Sequence, residues 1–294
     1  MSMPATIAEA ITYGANQFTE ADLFFGHGTD NAEDEALWLA FYALSLSFAE
    51  DEHILQQAIN AQQWQQIQTV FERRIKERIP AAYITGEGWF CGFSFTVNKD
   101  VLVPRSPIGE LIEQEFQPWL STPPDTVLDM CTGCGCIGLA TALYMPDTHV
   151  DLVDVSTAAL AVAQENIQRY SLGDRVSVIA SNVFDGLKGK RYSLILANPP
   201  YVDAGDLAAM PDEYQAEPAI ALGSGQDGLD ITRRLLAEAA HYLVDDGVMI
   251  VEVGNSWENL EDAFPEVPFL WLEFASGGHG VFIITRQELL AHFS

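Results

Sequence analysis

Four consecutive residues, Asn198, Pro199, Pro200 and Tyr201, directly follow the apolar run SLILA (193–197). Their types suit one kind of chemistry, the alkylation of a planar nitrogen. The lone pair of an amide or an exocyclic amine is delocalised, so such a nitrogen attacks poorly unless a site accepts its N–H groups. Asn198 offers a side-chain oxygen and Pro199 a backbone carbonyl, while the two prolines stiffen the turn and bring no N–H donors of their own. The ring of Tyr201 can lie against the flat face of the nitrogen's π-system. A second stretch, DMCTGCGCIG (129–138), mixes three cysteines with three glycines. A four-ligand metal site needs another soft ligand, and Cys91 stands forty residues before Cys131 with no CxxC partner, so no metal is expected. The glycines explain more. Gly133 and Gly135 permit a ligand to approach the backbone, Gly138 lets the next helix pack closely, and the cysteines are small fillers.

The spacing G-x-G-x-x-G also fits a dinucleotide loop. Here Asp129 and three further residues separate the apolar strand from Gly133, and an acid at that point suits a cationic amino group better than a pyrophosphate. Asp154, at the end of VDLVDV, is placed to accept both hydroxyls of a ribose, which points to a nucleoside without saying which one.

Such residues must be held by strand ends. From about residue 126 the chain alternates TVLDM, a helix through Leu143, VDLVDV, a helix from about Ala158 to Tyr170, VSVIA and SLILA, which argues an α/β unit with a parallel sheet. A further helix (231–242), the buried strand VMIVEV, and the pair FLWLEF and GVFIIT complete it, the last two as an antiparallel edge. Residues 1–85 read as a helical domain. Ile67, Val70, Phe71 and Ile75 make one apolar stripe there, and Asp30 with Glu33 looks like a capping box. His27, between two glycines, reads as a turn residue with no chemical role. Residues 86–106 change to aromatic and β-branched types with glycine breaks and read as a β-hairpin connector, leaving 107–294 for the catalytic domain.

Composition limits the partners. With 294 residues, 48% of them hydrophobic, the chain can bury a full core. It carries 42 acidic against 14 basic residues, a formal charge of -28, and such a surface repels polyphosphate, so no direct nucleic-acid binding is expected. The longest apolar run, ALWLAFYALSLSFA (36–49), is shorter than the roughly 20 residues of a membrane span. Without a charged leader ahead of a hydrophobic segment, a cytoplasmic protein with no membrane partner is expected.

VLDMCTGCGCIG and NPPY, in this order and spacing, resemble the methyltransferases that use S-adenosylmethionine to methylate amide or amino nitrogens. LFFGHGTDNAEDEA (23–36), VLVPRSP (101–107), NPPYVDAGDLAAMPDEYQAEP (198–218), SGQDGLD (224–230), EVGNS (252–256) and WLEFASGGHGVF (271–282) narrow the likeness. They are similar to the glutamine methyltransferases of the translation apparatus, and most of all to those acting on the third protein of the large ribosomal subunit.

That resemblance implies a seven-stranded Rossmann-like methyltransferase sheet behind a small helical N-terminal domain, with S-adenosyl-L-methionine as cofactor. It implies that Asp129, Thr132, Gly133 and Gly135 line the methionine end, that Asp154 holds the ribose, and that Asn182 and Val183 border the adenine. The family usually has an acid where Asn182 stands, so any contact to the adenine amine would use the neutral Asn oxygen. Asn198, Pro199 and Tyr201 would act in catalysis, Asn198 also beside the cofactor, and Pro200 and Arg105 would meet the substrate. The implied partner is a basic ribosomal protein, which an acidic surface would attract. The alternatives are a release-factor glutamine, an exocyclic amine of a nucleic acid, or a non-catalytic binding module.

Overall fold

A computed structural model describes residues 3–49 and 51–293. The chain forms two compact units, Met1–Gly88 with Pro211–Glu217, and Trp89–Met210 with Pro218–Ser294.

The first unit is helical, with α1 (Ile7–Glu20), α2 (Ala32–Leu44), α3 (Ala61–Glu77) and α4 (Ala81–Thr85). Ile11, Phe18, Leu39, Ile67 and Phe71 are buried between them. The cap of α2 is Asn31 rather than Asp30: its side chain accepts the Asp34 N–H at 2.9 Å. Starting there places Glu33, Asp34 and Glu35 in the first turn, where the helix dipole favours negative charge. On α3, Ile67 and Phe71 are buried as the stripe requires, whereas Val70 and Ile75 are half-buried.

Apolar periodicity hides the most consequential residue of α3. Arg74 is fully buried, and its Nε donates to Glu35 Oε1 at 2.6 Å, its Nη1 to Glu213 Oε1 at 3.2 Å and its Nη2 to the Phe24 carbonyl at 2.9 Å. Glu213 belongs to the short segment Pro211–Glu217, so these charges fasten that segment to the helices. His27 lies in a bend, as expected, but its ring is buried, with its centroid 4.5 Å from that of Tyr214 and its Nε2 3.6 Å from Glu217 Oε2.

Strands β1 (Glu87–Phe90) and β2 (Phe93–Thr96) pair as a hairpin, and residues 97–107 form turns rather than strand. The second unit centres on a seven-stranded sheet. Its strands are β3 (Thr126–Met130), β4 (His149–Asp154), β5 (Val176–Ala180), β6 (Tyr192–Ala197), β7 (Leu243–Glu252), β8 (Leu270–Trp271) and β9 (Val281–Thr285), in the order β5-β4-β3-β6-β7-β9-β8. The pairs from β5 through β7 are parallel, and β9 runs antiparallel to both β7 and β8. The associated helices are α5 (Ile108–Glu113), α6 (Cys136–Tyr144), α7 (Thr157–Arg169), α8 (Ala204–Ala209), α9 (Asp230–Glu238), α10 (Trp257–Ala263) and α11 (Arg286–His292). The inner strands are apolar almost throughout because both faces are covered. No helix among the described residues is long and apolar enough to cross a membrane.

Register fixes where the strands end. Met130 stands opposite Val153 on one side and Ala197 on the other, and Ala197 stands opposite Val251. Cys131, Asp154, Asn198 and Glu252 therefore each lie one residue beyond a single aligned row. The chain order doubles back between β3 and β6, which leaves a crevice at the carboxyl edge where open α/β sheets bind ligands.

Arg74→Ala leaves Glu35 buried without its guanidinium and Glu213 paired with Arg78 alone, and is expected to cost about 3–5 kcal/mol. Urea titration of the full chain should show a lowered midpoint for the helical unit. The double variant Arg74→Ala/Glu35→Ala should lose less than the sum of the two single changes.

Candidate functional site

The loop after β3 is held from beneath by Asp129. This carboxylate is fully buried, and its Oδ2 accepts from Thr132 Oγ1 at 2.5 Å and from the Gly138 N–H at 2.9 Å. Thr132 N–H in turn donates to the Val153 carbonyl at 3.0 Å, which ties the loop to β4. Gly138 is required for space: a Cβ there would stand 2.3 Å from Leu152 Cδ2 and 2.9 Å from Asp129 Cβ. Gly133 is required for conformation, with φ at 56° and open space beyond it. Behind the loop, the buried side chain of Asn166 on α7 donates to the carbonyls of Cys134 and Thr96 and accepts the Thr96 N–H, fixing loop, helix and β2 together.

A cavity of about 380 Å³ opens above this loop. The fold brings Gly133, Asp154, Asn182, Val183, Asn198 and Pro200 to its wall. Asp129, Thr132 and Gly135 are buried rather than exposed at that wall. Asp154 accepts the Gly133 N–H on Oδ2 at 2.9 Å and the Ser156 N–H on Oδ1 at 2.8 Å. A carboxylate has about four lone-pair positions, so these backbone bonds do not use up its capacity to accept. Burial pushes its carboxyl above the ordinary range, against the pull of those backbone bonds. Asn182 Oδ1 takes a hydrogen bond from Arg234 Nη1 at 3.0 Å, so one acceptor position of this amide is already engaged by a cation. Val183 has φ at 51°, an unfavourable conformation for a β-branched residue, and its carbonyl is gripped by Ser181 Oγ at 2.7 Å.

The turn after β6 separates this cavity from another. Asn198 is half-buried and Pro199 buried, and Val202 then bridges to Gly223, closing the base of the segment between them. A second cavity, of about 490 Å³, is lined by Arg105, Ser106, Tyr201 and Glu252 among others. Tyr201 donates its hydroxyl to Glu252 Oε1 at 3.0 Å, and its carbonyl accepts from Ser256 Oγ at 2.6 Å.

Sequence reasoning passed over Glu252, Ser106, Asn166 and Arg234. For Glu252 a signal was present: an acid ending the apolar run VMIV occupies the same kind of position as Asp154 ending VDLV. The other three carry no local mark, because their partners are remote in sequence.

The cysteines are free thiols, with Cys134 and Cys136 buried. Burial pushes the Cys131 thiol up, and Cys136 is raised as well by its hydrogen bond to Cys134 and by burial. Neutral thiols of this kind are poor metal ligands. Among the described residues no group of three or more His, Cys, Asp or Glu side chains could hold a metal ion.

Known proteins resemble this chain. The methyltransferase small domain family matches residues 114–211, and the PrmC N-terminal domain family matches residues 9–86. The ribosomal protein uL3 glutamine methyltransferase of Neisseria gonorrhoeae (strain ATCC 700825 / FA 1090) is 45% identical over 97% of this chain and 96% of its own length. The protein of the same name from Francisella tularensis subsp. tularensis is 42% identical over 98% of this chain and 92% of its own. Among solved structures, a ribosomal protein L11 methylase from Lactobacillus delbrueckii subsp. bulgaricus superposes with a TM-score of 0.43 at 18% identity, covering 60% of this chain and 77% of that one.

Asp129 supplies a test of the loop. Its Oδ1 is buried with no hydrogen-bond partner, and burial raises its carboxyl to about 7. The group is thus ionised above that pH and neutral below it, and only the ionised form attracts an ammonium. Calorimetry with S-adenosylmethionine should show affinity falling roughly tenfold between pH 8 and pH 6. Asp129→Asn should bind weakly at both, and a flat wild-type profile would remove Asp129 from this role.

Proposed function

The chain belongs to the family of the ribosomal protein uL3 glutamine methyltransferases, and from that membership we propose that it transfers a methyl group from S-adenosylmethionine to the side-chain amide nitrogen of a glutamine in the large-subunit ribosomal protein uL3. One observation carries this reading at the level of the site. The turn Asn198–Tyr201 is a shared partition, with Asn198 and Pro200 on the wall of one cavity and Tyr201 on the wall of the other. A donor on one side and an acceptor on the other meet at the residues whose chemistry suits a planar nitrogen.

The first cavity fits the donor. Its volume falls within the roughly 300–1,000 Å³ of small-molecule sites. Asp154 keeps capacity to accept from a diol, the orphaned Asp129 oxygen lies under the loop for an ammonium, and Val155, Val183 and Ile231 offer apolar wall to a flat base. When bound, S-adenosylmethionine supplies an electrophilic methyl on a sulfonium, which leaves as a neutral thioether.

The chain's own task is to hold the amide. Asn198 Oδ1 and the Pro199 carbonyl accept its two N–H groups, and Tyr201 backs its plane. As the new C–N bond forms, the nitrogen gains positive character and its N–H groups become stronger donors, so these acceptors stabilise the transition state more than the ground state. No strong base is needed, because the alkylated nitrogen is acidic and its proton passes to solvent once the sulfur has departed. Arg105, on the wall of the second cavity, is assigned to the acceptor polypeptide.

Acidity is spread along the chain, with 13 acids to 4 bases in residues 1–90 and 29 to 10 in the rest. That field favours a basic protein captured before RNA covers it, in the cytoplasm where ribosomal proteins are made, and disfavours naked nucleic acid. Residues 1–85 are assigned to recognition of that protein, 86–106 to the connection, and 107–294 to chemistry.

Labelled methyl donor should mark uL3 and leave release factor, DNA and RNA unmarked when all are offered in parallel, with capture slowing as salt rises. Mass spectrometry that finds uL3 unmodified and another acceptor methylated would overturn the assignment. Asn198→Ala should leave donor affinity within a few-fold but lower kcat by about 10²- to 10³-fold. Asn198→Asp keeps an acceptor and should retain more activity than Ala; activity no better than Ala would remove the accepting role.

A further inference from the structure

Glu252 ends β7 as a charged residue in an apolar setting, 4% exposed at the edge of the second cavity. Both of its oxygens are used. Oε1 accepts from the Tyr201 hydroxyl at 3.0 Å, and Oε2 accepts from Ser106 Oγ at 2.6 Å. Ser106 Oγ itself accepts the Ile108 N–H at 3.2 Å, which leaves the hydroxyl proton for Glu252. The residues that follow grip the rest of Tyr201. A Cβ on Gly254 would stand 2.5 Å from the ring, and Ser256 holds the carbonyl. The segment EVGNS thus grips Tyr201 at its hydroxyl, ring and carbonyl.

We propose that Glu252 is a positioning residue for methyl transfer, which fixes the Tyr201 ring against the acceptor amide by accepting the hydroxyls of Tyr201 and Ser106. The inference rests on the reading of Tyr201 given above. Packing alone does not account for an acid here, since burying a carboxylate is costly and an apolar side chain of similar volume fills the space without that cost. What the carboxylate adds is a pair of directional acceptors that orient two hydroxyls.

The arrangement has a pH signature. Burial raises the Glu252 carboxyl to about 7, against the hydrogen bonds of Ser106 and Tyr201 and the charge of Arg105. The other ionisable groups lining the cavity are Arg105, Glu110, Glu113, Cys91 and Tyr201. Of these, Glu110 is held below its ordinary range by the Ala275 and Ser276 N–H groups, while burial lifts the Cys91 thiol to about 12. Above the Glu252 pKa the ionised group accepts both hydroxyls. Below it, the carboxyl carries a proton of its own, and one hydroxyl must turn away.

The test is steady-state kinetics of the full chain with uL3 as acceptor, on wild type, Glu252→Gln, Tyr201→Phe and the double variant, with donor affinity measured by calorimetry. Wild-type kcat should fall on the acid side with an apparent pKa near 7. Glu252→Gln should lose that limb and lower kcat about 10- to 100-fold, as a small misplacement at a reacting centre does, with donor affinity unchanged. The double variant should be no slower than the slower single variant, because both changes remove one device. Additive losses, or a Glu252→Gln enzyme that keeps both rate and limb, overturn the inference alone. Tyr201→Phe with wild-type kcat overturns the reading of Tyr201 and the inference with it. If Glu252→Gln does not fold, Ser106→Ala serves instead: with one donor removed from the ionised carboxylate, the limb should move to higher pH, and an unmoved limb overturns the proposal.

Discussion

Everything at the carboxyl edge of the sheet depends on one shared register. Met130, Val153, Ala197 and Val251 align across four parallel strands, so the residue that follows each of them emerges in the same row. Side chains alternate along a strand, and a slip of one residue would turn every one of them to the other face. Asp154, Asn198 and Glu252 would then leave the crevice together. The continuous apolar runs of β6 and β7 hold this alignment, because both faces are buried and no polar side can be turned out without penalty.

Buried charge is handled differently in the two units. In the helical unit Arg74 is bonded through Nε, Nη1 and Nη2, an arrangement that binds a segment in place and offers nothing to a ligand. In the second unit, Asp129 keeps one oxygen without a partner and Glu252 is pushed toward neutrality. Incomplete satisfaction of a buried acid is uncommon in native structures and concentrates where a ligand or a proton is to be held. The loop after β5 adds strain of its own at Val183.

The chain from Asn198 onward links these themes. Asn198 and Pro200 border the first cavity and Tyr201 the second, the segment Pro211–Glu217 is built into the helical unit, and Pro218, Ile220 and Ser224 return to the first cavity wall. A single stretch of sequence thus contributes residues to the walls of both cavities and a segment held in the helical unit by buried charge.

The sequence by itself determined what depends on neighbours in the chain. Helix and strand periodicity placed β3 to β6, the apolar half of β7, and α6, α7 and α9, the glycine pattern marked a tight turn before α6, and Asn198–Tyr201 marked a proline-stiffened strand end. The N-cap of α2 fell one residue late because the first-turn acids, not the cap residue alone, set where the helix begins. Tertiary structure decided the rest. Arg74 lies in an apolar stripe that its charge should have spoiled, and Glu35, the Phe24 carbonyl and Glu213, brought in from 39, 50 and 139 residues away, make its burial possible. Asn166, Arg234 and Ser106 likewise take their partners from remote parts of the chain. A hydrogen bond formed across folded elements depends on distance in space, and local periodicity carries no record of that distance.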